Sequence, residues 1–254
     1  LAECFKKGIR VISPYKLKRF FNSLQTTLTS LSICGPKWMN DAHIEAIMPI
    51  IGENLVRLEL VDCVASDYDG YTDAFMETRL SCSSLVSIAQ HCKQLKSFSM
   101  VDSDITCSGL ERVLSANTGI TTLNLSDSKR LEPRAVNIIS RYLPRLEVLR
   151  NYWPSLYEPD WLNDNNFISL VDAQEKESGG SGIFFNLIGL YNYTLKHDGP
   201  QLTIRGIKYA IEKGVKEIEI DEGRFYESIL DLGSDVKLYR PEYVHYIVGS
   251  QYER

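Results

Sequence analysis

Three carboxylates, Asp67, Asp69 and Asp73, fall at the alternating spacing with which an EF-hand loop gathers oxygens around calcium. They lack the third ligand before the glycine and the distal Glu of such a loop, and so read as a solvated acidic loop. Cys82, His91 and Cys92 offer sulfur and imidazole, but they sit across a helical stretch at spacings unsuited to tetrahedral zinc, and no C-x-x-C pair exists. Ser178-Gly-Gly-Ser-Gly182 has the small residues of a phosphate loop without a following Lys-Ser/Thr or a clear preceding strand. His43, His91, His197 and His245 have no Cys or Ser partner in a recognisable motif. G-x-S-x-G, P-loop and H-E-x-x-H patterns are missing. The expectation is a chain with no catalytic residue, no metal and no cofactor.

The elements that hold these residues follow one another with a period. Leu28-x-x-Leu31-x-Ile33 is followed by Leu55-x-x-Leu58-x-Leu60, Leu95-x-x-Phe98-x-Met100 and Ile120-x-x-Leu123-x-Leu125. Leu146-x-x-Leu149 continues the series, and Val215-x-x-Ile218-x-Ile220 restates it near the end. Apolar residues at the first, fourth and sixth positions of a short strand, repeated at roughly 25 to 27 residues, are the sequence signature of a leucine-rich repeat. One such strand cannot bury its apolar edge alone. Neighbouring repeats must stack, which predicts an α/β leucine-rich repeat solenoid with a curved parallel sheet on the concave side and helices on the convex side.

A second column lies between the strands. Ile12, Met39, Leu80, Ile105, Leu131, Leu162 and Leu202 open the intervening segments, and Leu17, Ile44, Leu85, Leu110, Val136, Phe167 and Ile207 follow five positions on. After each opening residue stands Ser13, Asn40, Ser81, Thr106, Glu132, Asn163 or Thr203. All but Glu132 are good N-caps, whose side-chain oxygen accepts from an unpaired amide of the first helical turn. Apolar residues then recur at helical spacing, as in Leu110, Val113 and Leu114.

Breaks in the period mark insertions at Val64–Arg79 and around Gln174–Gly182, the latter rich in Gly and Ser and read as a mobile loop. A weak repeat is expected at Leu187-x-x-Leu190. Three regions follow: regular repeats over 1–154, irregular repeats with the Gly/Ser-rich insertion over 155–235, and a Tyr-rich C-terminal cap over 236–254. Leu1-Ala-Glu-Cys4 falls in register one repeat before Leu28, so the chain reads as part of a longer array.

Composition narrows the partners. Apolar content is 44%, charged content 24%, and the net charge is -5, which argues against a dedicated nucleic-acid binder. No apolar run reaches the length of a membrane span, so no membrane partner is expected. The six cysteines, Cys4, Cys34, Cys63, Cys82, Cys92 and Cys107, follow the repeats rather than a cross-linking pattern. Free thiols in a reducing compartment, cytoplasmic or nuclear, account for them.

Two stretches carry a likeness to a known family: Leu55-Val-Arg-Leu-Glu-Leu-Val-Asp-Cys63, and Ile105-Thr-Cys-Ser-Gly-Leu110 with its counterpart Leu202-Thr-Ile-Arg-Gly-Ile207. A strand, a Cys soon after it, and I-T-x-x-G-L opening the helix resemble the cysteine-containing leucine-rich repeats of F-box/LRR proteins. The Cys column is filled by Ser103, Ser128 and Gly223 elsewhere. The resemblance implies a substrate receptor of a ubiquitin ligase, reaching the ligase adaptor through an upstream segment that this chain does not contain.

Alternation within each strand turns its third and fifth residues, with the seventh just beyond, away from the core. Along the array these are Ser30, Ser32 and Cys34; Arg57, Glu59 and Val61; Ser97, Ser99 and Val101; Thr122, Asn124 and Ser126; and Val148, Arg150 and Tyr152. The small polar middle lets a partner's backbone approach, and the flanking Arg, Glu, Tyr and Trp side chains have the character of interface anchors. Ser and Thr are also ordinary exposed strand residues. The expected protein-binding residues are Arg57, Glu59, Val61, Ser99, Val101, Asn124, Arg150, Tyr152 and Trp153. Asp62, Asp102, Asp127 and Glu222 at the strand exits form either an acidic stripe or a column of turn caps. Two functions follow: a protein-interaction scaffold of F-box/LRR type, or a structural subunit of a large multiprotein complex that uses its helices, loop and tail.

Overall fold

A computed structural model describes residues 12–23, 28–34, 39–61, 80–101, 103–126, 128, 130–150, 162–178, 184–185, 204–215 and 217–218. Strands and helices alternate through it: α1 (Pro14–Asn22), β1 (Ser30–Cys34), α2 (Asp41–Ile51), β2 (Arg57–Val61), α3 (Cys82–His91), β3 (Ser97–Met100), α4 (Cys107–Ala116) and β4 (Thr122–Asn124). There follow α5 (Arg134–Tyr142), β5 (Val148–Arg150), α6 (Asp164–Ser178), β6 (Phe184–Phe185), α7 (Ile204–Glu212) and β7 (Glu217–Ile218). The first five strands form one parallel sheet in chain order, and β6 pairs with β7 in a second parallel ladder. Among the described residues the helices bury their apolar side chains in the same cluster as one face of the five-stranded sheet.

That face holds the core. Leu58 and Leu60 of β2, Phe98 and Met100 of β3, Leu123 and Leu125 at β4, and Leu149 of β5 are wholly buried. They share one apolar cluster with Ile44, Leu85, Leu110, Val136 and Phe167 from the helices. Burying each such side chain contributes about 1.5–3 kcal/mol, which offsets the ordering of strands only three to five residues long. Helices pack in chain order against their immediate neighbours, as the strands do.

The helix starts show why the period holds. Ser13, Ser81 and Thr106 are N-caps whose hydroxyls accept from Lys16, Ser83 and Gly109 amides at 3.4, 3.2 and 3.5 Å. Asn163 Oδ1 accepts from Asn166 N at 3.1 Å ahead of α6. At α2 the Asn40 amide donates to His43 Nδ1 at 3.3 Å, while His43 Nε2 donates to the Ile12 carbonyl at 2.7 Å and ties α2 to the entrance of α1. The fifth start is the one where the column lacks a good N-cap. Pro133, not Glu132, caps α5, because its fixed φ suits the first turn and the Glu132 carbonyl accepts from Ala135 N at 2.8 Å. Thr203 lies outside the described residues.

One further correction concerns the C-terminal half. Residues 174–178, expected in a loop, form the last turns of α6. Buried Gln174 donates from Nε2 to the Leu143 carbonyl at 2.6 Å, so an apparent linker residue instead closes the preceding repeat. A short strand lies at Phe184–Phe185, while the weak repeat expected at Leu187-x-x-Leu190 lies outside the described residues. The acidic insertion 64–79, the glycines of the Ser178–Gly182 stretch and the 236–254 tail lie outside the described residues. Among the described residues no helix is long and apolar enough to cross a membrane, and no three His, Cys, Asp or Glu side chains gather as metal ligands.

Candidate partner-binding surface

The sheet's other face is built by the residues between the buried ones. Register sets them in rows that cross the strands. Ser30, Arg57, Ser97, Thr122 and Val148 form one row, and Ser32, Glu59, Ser99, Asn124 and Arg150 form the next. Four of the expected binding residues, on four different strands, therefore stand side by side in a single row at the strand spacing of about 4.8 Å. Val61 ends β2, and Val101 follows β3 with its amide donating to the Leu60 carbonyl at 2.9 Å, which extends the pairing by one step. Tyr152 and Trp153 lie outside the described residues, as do Asp62, Asp102 and Asp127 of the strand-exit column.

Charge on this face is sparse. Arg57 and Glu59, two residues apart on one strand, pair at 3.2 Å, with the guanidinium well exposed and the carboxylate about a quarter exposed. Arg150 is exposed and has no ion pair among the described residues. The rest is small and neutral. Asn124 turns its carbonyl oxygen inward along its own strand exit, where it accepts from Ser126 N at 3.1 Å and from Ser126 Oγ at 2.6 Å. That local turn accounts for a side chain the sequence offers only as a surface position.

The exposed edge positions also explain which thiols are which. Cys34 ends β1 on this face, exposed and 3.5 Å from Ser32 Oγ. Cys92 is buried behind the sheet at 3.7 Å from Met48 Sδ, and burial pushes its thiol up to about 12. Cys82 and Cys107 sit at the first helical positions of α3 and α4 and reach the start of the next helix, at Thr106 Oγ1 (3.1 Å) and the Glu132 carbonyl (3.8 Å). All four are free thiols.

No protein-family model matches the chain, and no curated protein does. Among solved structures it is similar to leiomodin-1 actin-binding site 2, with 11% identity and a TM-score of 0.45 over 66% of this chain and 91% of that one. It is also similar to a chain of the Rad7 and Elc1 complex in yeast, with 14% identity and a TM-score of 0.48 over 89% of this chain and 59% of that one. The chain thus spans about three fifths of that yeast chain. Likenesses this distant carry no argument about what the protein binds.

Several contacts escape sequence reading. Asp41, first residue of α2, accepts from Ser81 N at 2.8 Å and from the hydroxyls of Ser81 and Ser84 at 2.5 Å each. Asp164, first residue of α6, accepts from Gly206 N at 3.2 Å in α7. With Cys82 and Cys107 they make a ladder in which the residue after four of the N-caps reaches the start of the next helix. The signal was present as a column directly after the N-cap column, though its residue types vary between Asp and Cys. Farther from the sheet, Glu111 accepts from Arg134 Nη2 at 3.0 Å and from the Tyr142 hydroxyl at 3.3 Å, joining α4 to α5. Tyr209 donates to Asp172 at 2.5 Å, joining α7 to α6, and this bond raises the phenol's pKa.

Proposed function

We propose that this chain is a leucine-rich repeat solenoid of F-box/LRR-like kind whose concave sheet face holds a protein partner, and that it supplies binding rather than catalysis. The supporting observation is the row Glu59, Ser99, Asn124 and Arg150, which sets polar side chains from four strands in one line with no bulky residue between them. Rigid strands fix the spacing of such a line, and that geometry suits recognition of an extended polypeptide. Free thiols, one of them exposed on this face, suit a reducing compartment, cytoplasm or nucleus. On this reading the substrate-receptor role in a ubiquitin ligase would run through an adaptor bound by an upstream segment.

A second reading rests on a different surface. Tyr15 and Phe20 of α1 stand 68% and 42% exposed, which suits a structural subunit held in an assembly by its helices. Affinity purification of the full-length protein from its own cells, wild type beside Thr122→Arg, separates the two. Thr122 lies mid-face and half-exposed, so an arginine there obstructs the sheet without touching the core. Co-purification of a ligase adaptor and cullin with both forms, and loss of one further protein from the variant, is the expected result. A fixed set of subunits that survives Thr122→Arg, and is lost on Tyr15→Ala with Phe20→Ala, would instead make this a structural component.

A further inference from the structure

The outer side of α1 differs from that of every other described helix. Tyr15 and Phe20 stand on it 68% and 42% exposed, and no other described helix exposes a large apolar side chain. A single exposed aromatic is ordinary, but two on a helix of nine residues form a patch. At 3.6 residues per turn, buried Leu17 and Phe21 take the inner side, and Tyr15 and Arg19 stand opposite them, one turn apart. Lys16 and Phe20 lie one turn apart along one flank of that ridge, and Lys18 lies on the other. All of these outward side chains are exposed.

The charges on this helix have one sign. Lys16, Lys18 and Arg19 are its only ionisable groups besides the Tyr15 phenol, and none of the three cations is in an ion pair among the described residues. The whole chain carries -5, so α1 is a local reversal on an acidic protein. That contrast selects the occupant. Nucleic acid or an anionic bilayer presents an extended negative surface, which would also meet the acidic remainder of the chain. A short acidic segment meets only what lies within the screening length, about 8 Å at physiological salt, and α1 is itself roughly 13 Å long.

We propose that the outer face of α1 docks a short acidic segment of a partner protein. Its carboxylates pair with Lys16, Lys18 and Arg19, and its apolar side chains cover Tyr15 and Phe20. Exposed ion pairs are individually weak, so the aromatics hold the segment while the cations set its sign and orientation. The helices pack on the buried side of the sheet, so this site is separate from the strand face and does not require that face to bind. It shares with the second reading above only the two aromatics, and names the chemistry they meet.

The test selects random linear peptides, displayed on their own coding RNA, on the intact 254-residue chain carrying Thr122→Arg, which obstructs the strand face. Enriched peptides should hold two or more Asp or Glu beside an apolar residue. Their affinity should fall at least about tenfold on Tyr15→Ala with Phe20→Ala, and likewise on Lys16→Gln with Lys18→Gln and Arg19→Gln. Selection on the chain with all three cations changed to Glu should return Lys or Arg instead. The glutamine variant alters only exposed side chains and should keep the wild-type unfolding midpoint, so its loss of binding is not a folding defect. Should the glutamate variant unfold, the glutamine variant decides. Enrichment of nothing, peptides without acidic residues, or acidic peptides indifferent to both sets of substitutions would each overturn the proposal. So would phosphatidylserine vesicles or single-stranded DNA displacing the peptides from α1. None of these outcomes bears on the strand face, which is obstructed throughout.

Discussion

Cys34 and Cys92 mark the two extremes a thiol meets among the described residues. Both read from sequence as members of one column-following set, and their surroundings set them apart. The thiolate is the reactive species, and an ordinary thiol forms it near pH 8.5, about the value for an unperturbed cysteine. Cys92 is pushed up to about 12, chiefly by burial, with nearby Lys93 pulling less strongly downward. A thiol reagent at pH 8 should therefore label Cys34 in the native protein and reach Cys92 only after unfolding, as peptide mapping by mass spectrometry would show. Equal labelling rates at the two sites would contradict the burial. The same shift has a stability consequence. The unfolded chain gives up this proton first, so the contribution of the neutral buried thiol is complete below about pH 8.5 and is lost progressively as pH rises toward 12. Cys92→Ala should flatten that part of the stability curve. The sequence supported burial of thiols in general; it could not rank these two, because the ranking depends on Met48 lying against one and open sheet against the other.

At the scale of single elements, helix starts were legible and helix-to-helix fastening was not. Ser13, Ser81, Thr106 and Asn163 cap residues two or three positions downstream, and so local a relation leaves a spacing that can be read. Asp41 bonds to residues 40 and more positions away across an insertion, and its column after the N-caps mixes Asp with Cys, so residue type alone does not disclose the contact. The same holds for Gln174, whose side chain turned a supposed loop into helix. Gly109 of the I-T-x-x-G-L stretch finds its reason here as well. A Cβ at that position would lie 2.7 Å from Leu85 Cδ1 and 3.0 Å from Cys82 Sγ, so glycine is what lets α4 approach α3. The Asp41 contacts predict a measurable cost. Asp41→Ala strands the Ser81 amide and two hydroxyls, one of them on wholly buried Ser84, and removes a negative charge from the start of α2. A loss of about 2–3 kcal/mol is expected in urea unfolding, with Asp41→Asn retaining part of the stability. An unchanged midpoint would mean that these bonds merely replace water.

Among the described residues each of the first five strands pairs with the next in chain order, and each helix packs against the next. The leucine columns and their period anticipated that order through β5, because every strand there buries the same positions against the same kind of neighbour. Beyond β5 the pattern thins: β6 lies at Phe184–Phe185, and the weak repeat expected at Leu187 lies outside the described residues. The proposed solenoid has a mechanical consequence that a closed core lacks: stability is a sum over units and the interfaces between them. Leu123 lies fully buried in β4, between Phe98 of β3 and Leu149 of β5, and shortening it to Ala should cost about 2–5 kcal/mol. Placed in the interior, that defect weakens the coupling between the units on its two sides. Leu31 holds the corresponding place in β1, the first strand of the sheet, and its loss weakens only one flank. Denaturant unfolding followed by both circular dichroism and hydrogen exchange should separate these cases. Leu123→Ala is expected to give a broadened or split transition with a reduced denaturant slope, and protection falling first on one side of β4. Leu31→Ala should leave the main transition sharp while β1 and α1 lose protection. If both variants shift one sharp transition with an unchanged slope, cooperativity spans the array, and a partner laid across β2 to β5 would then be held by a single rigid body rather than by units it must itself bring into line.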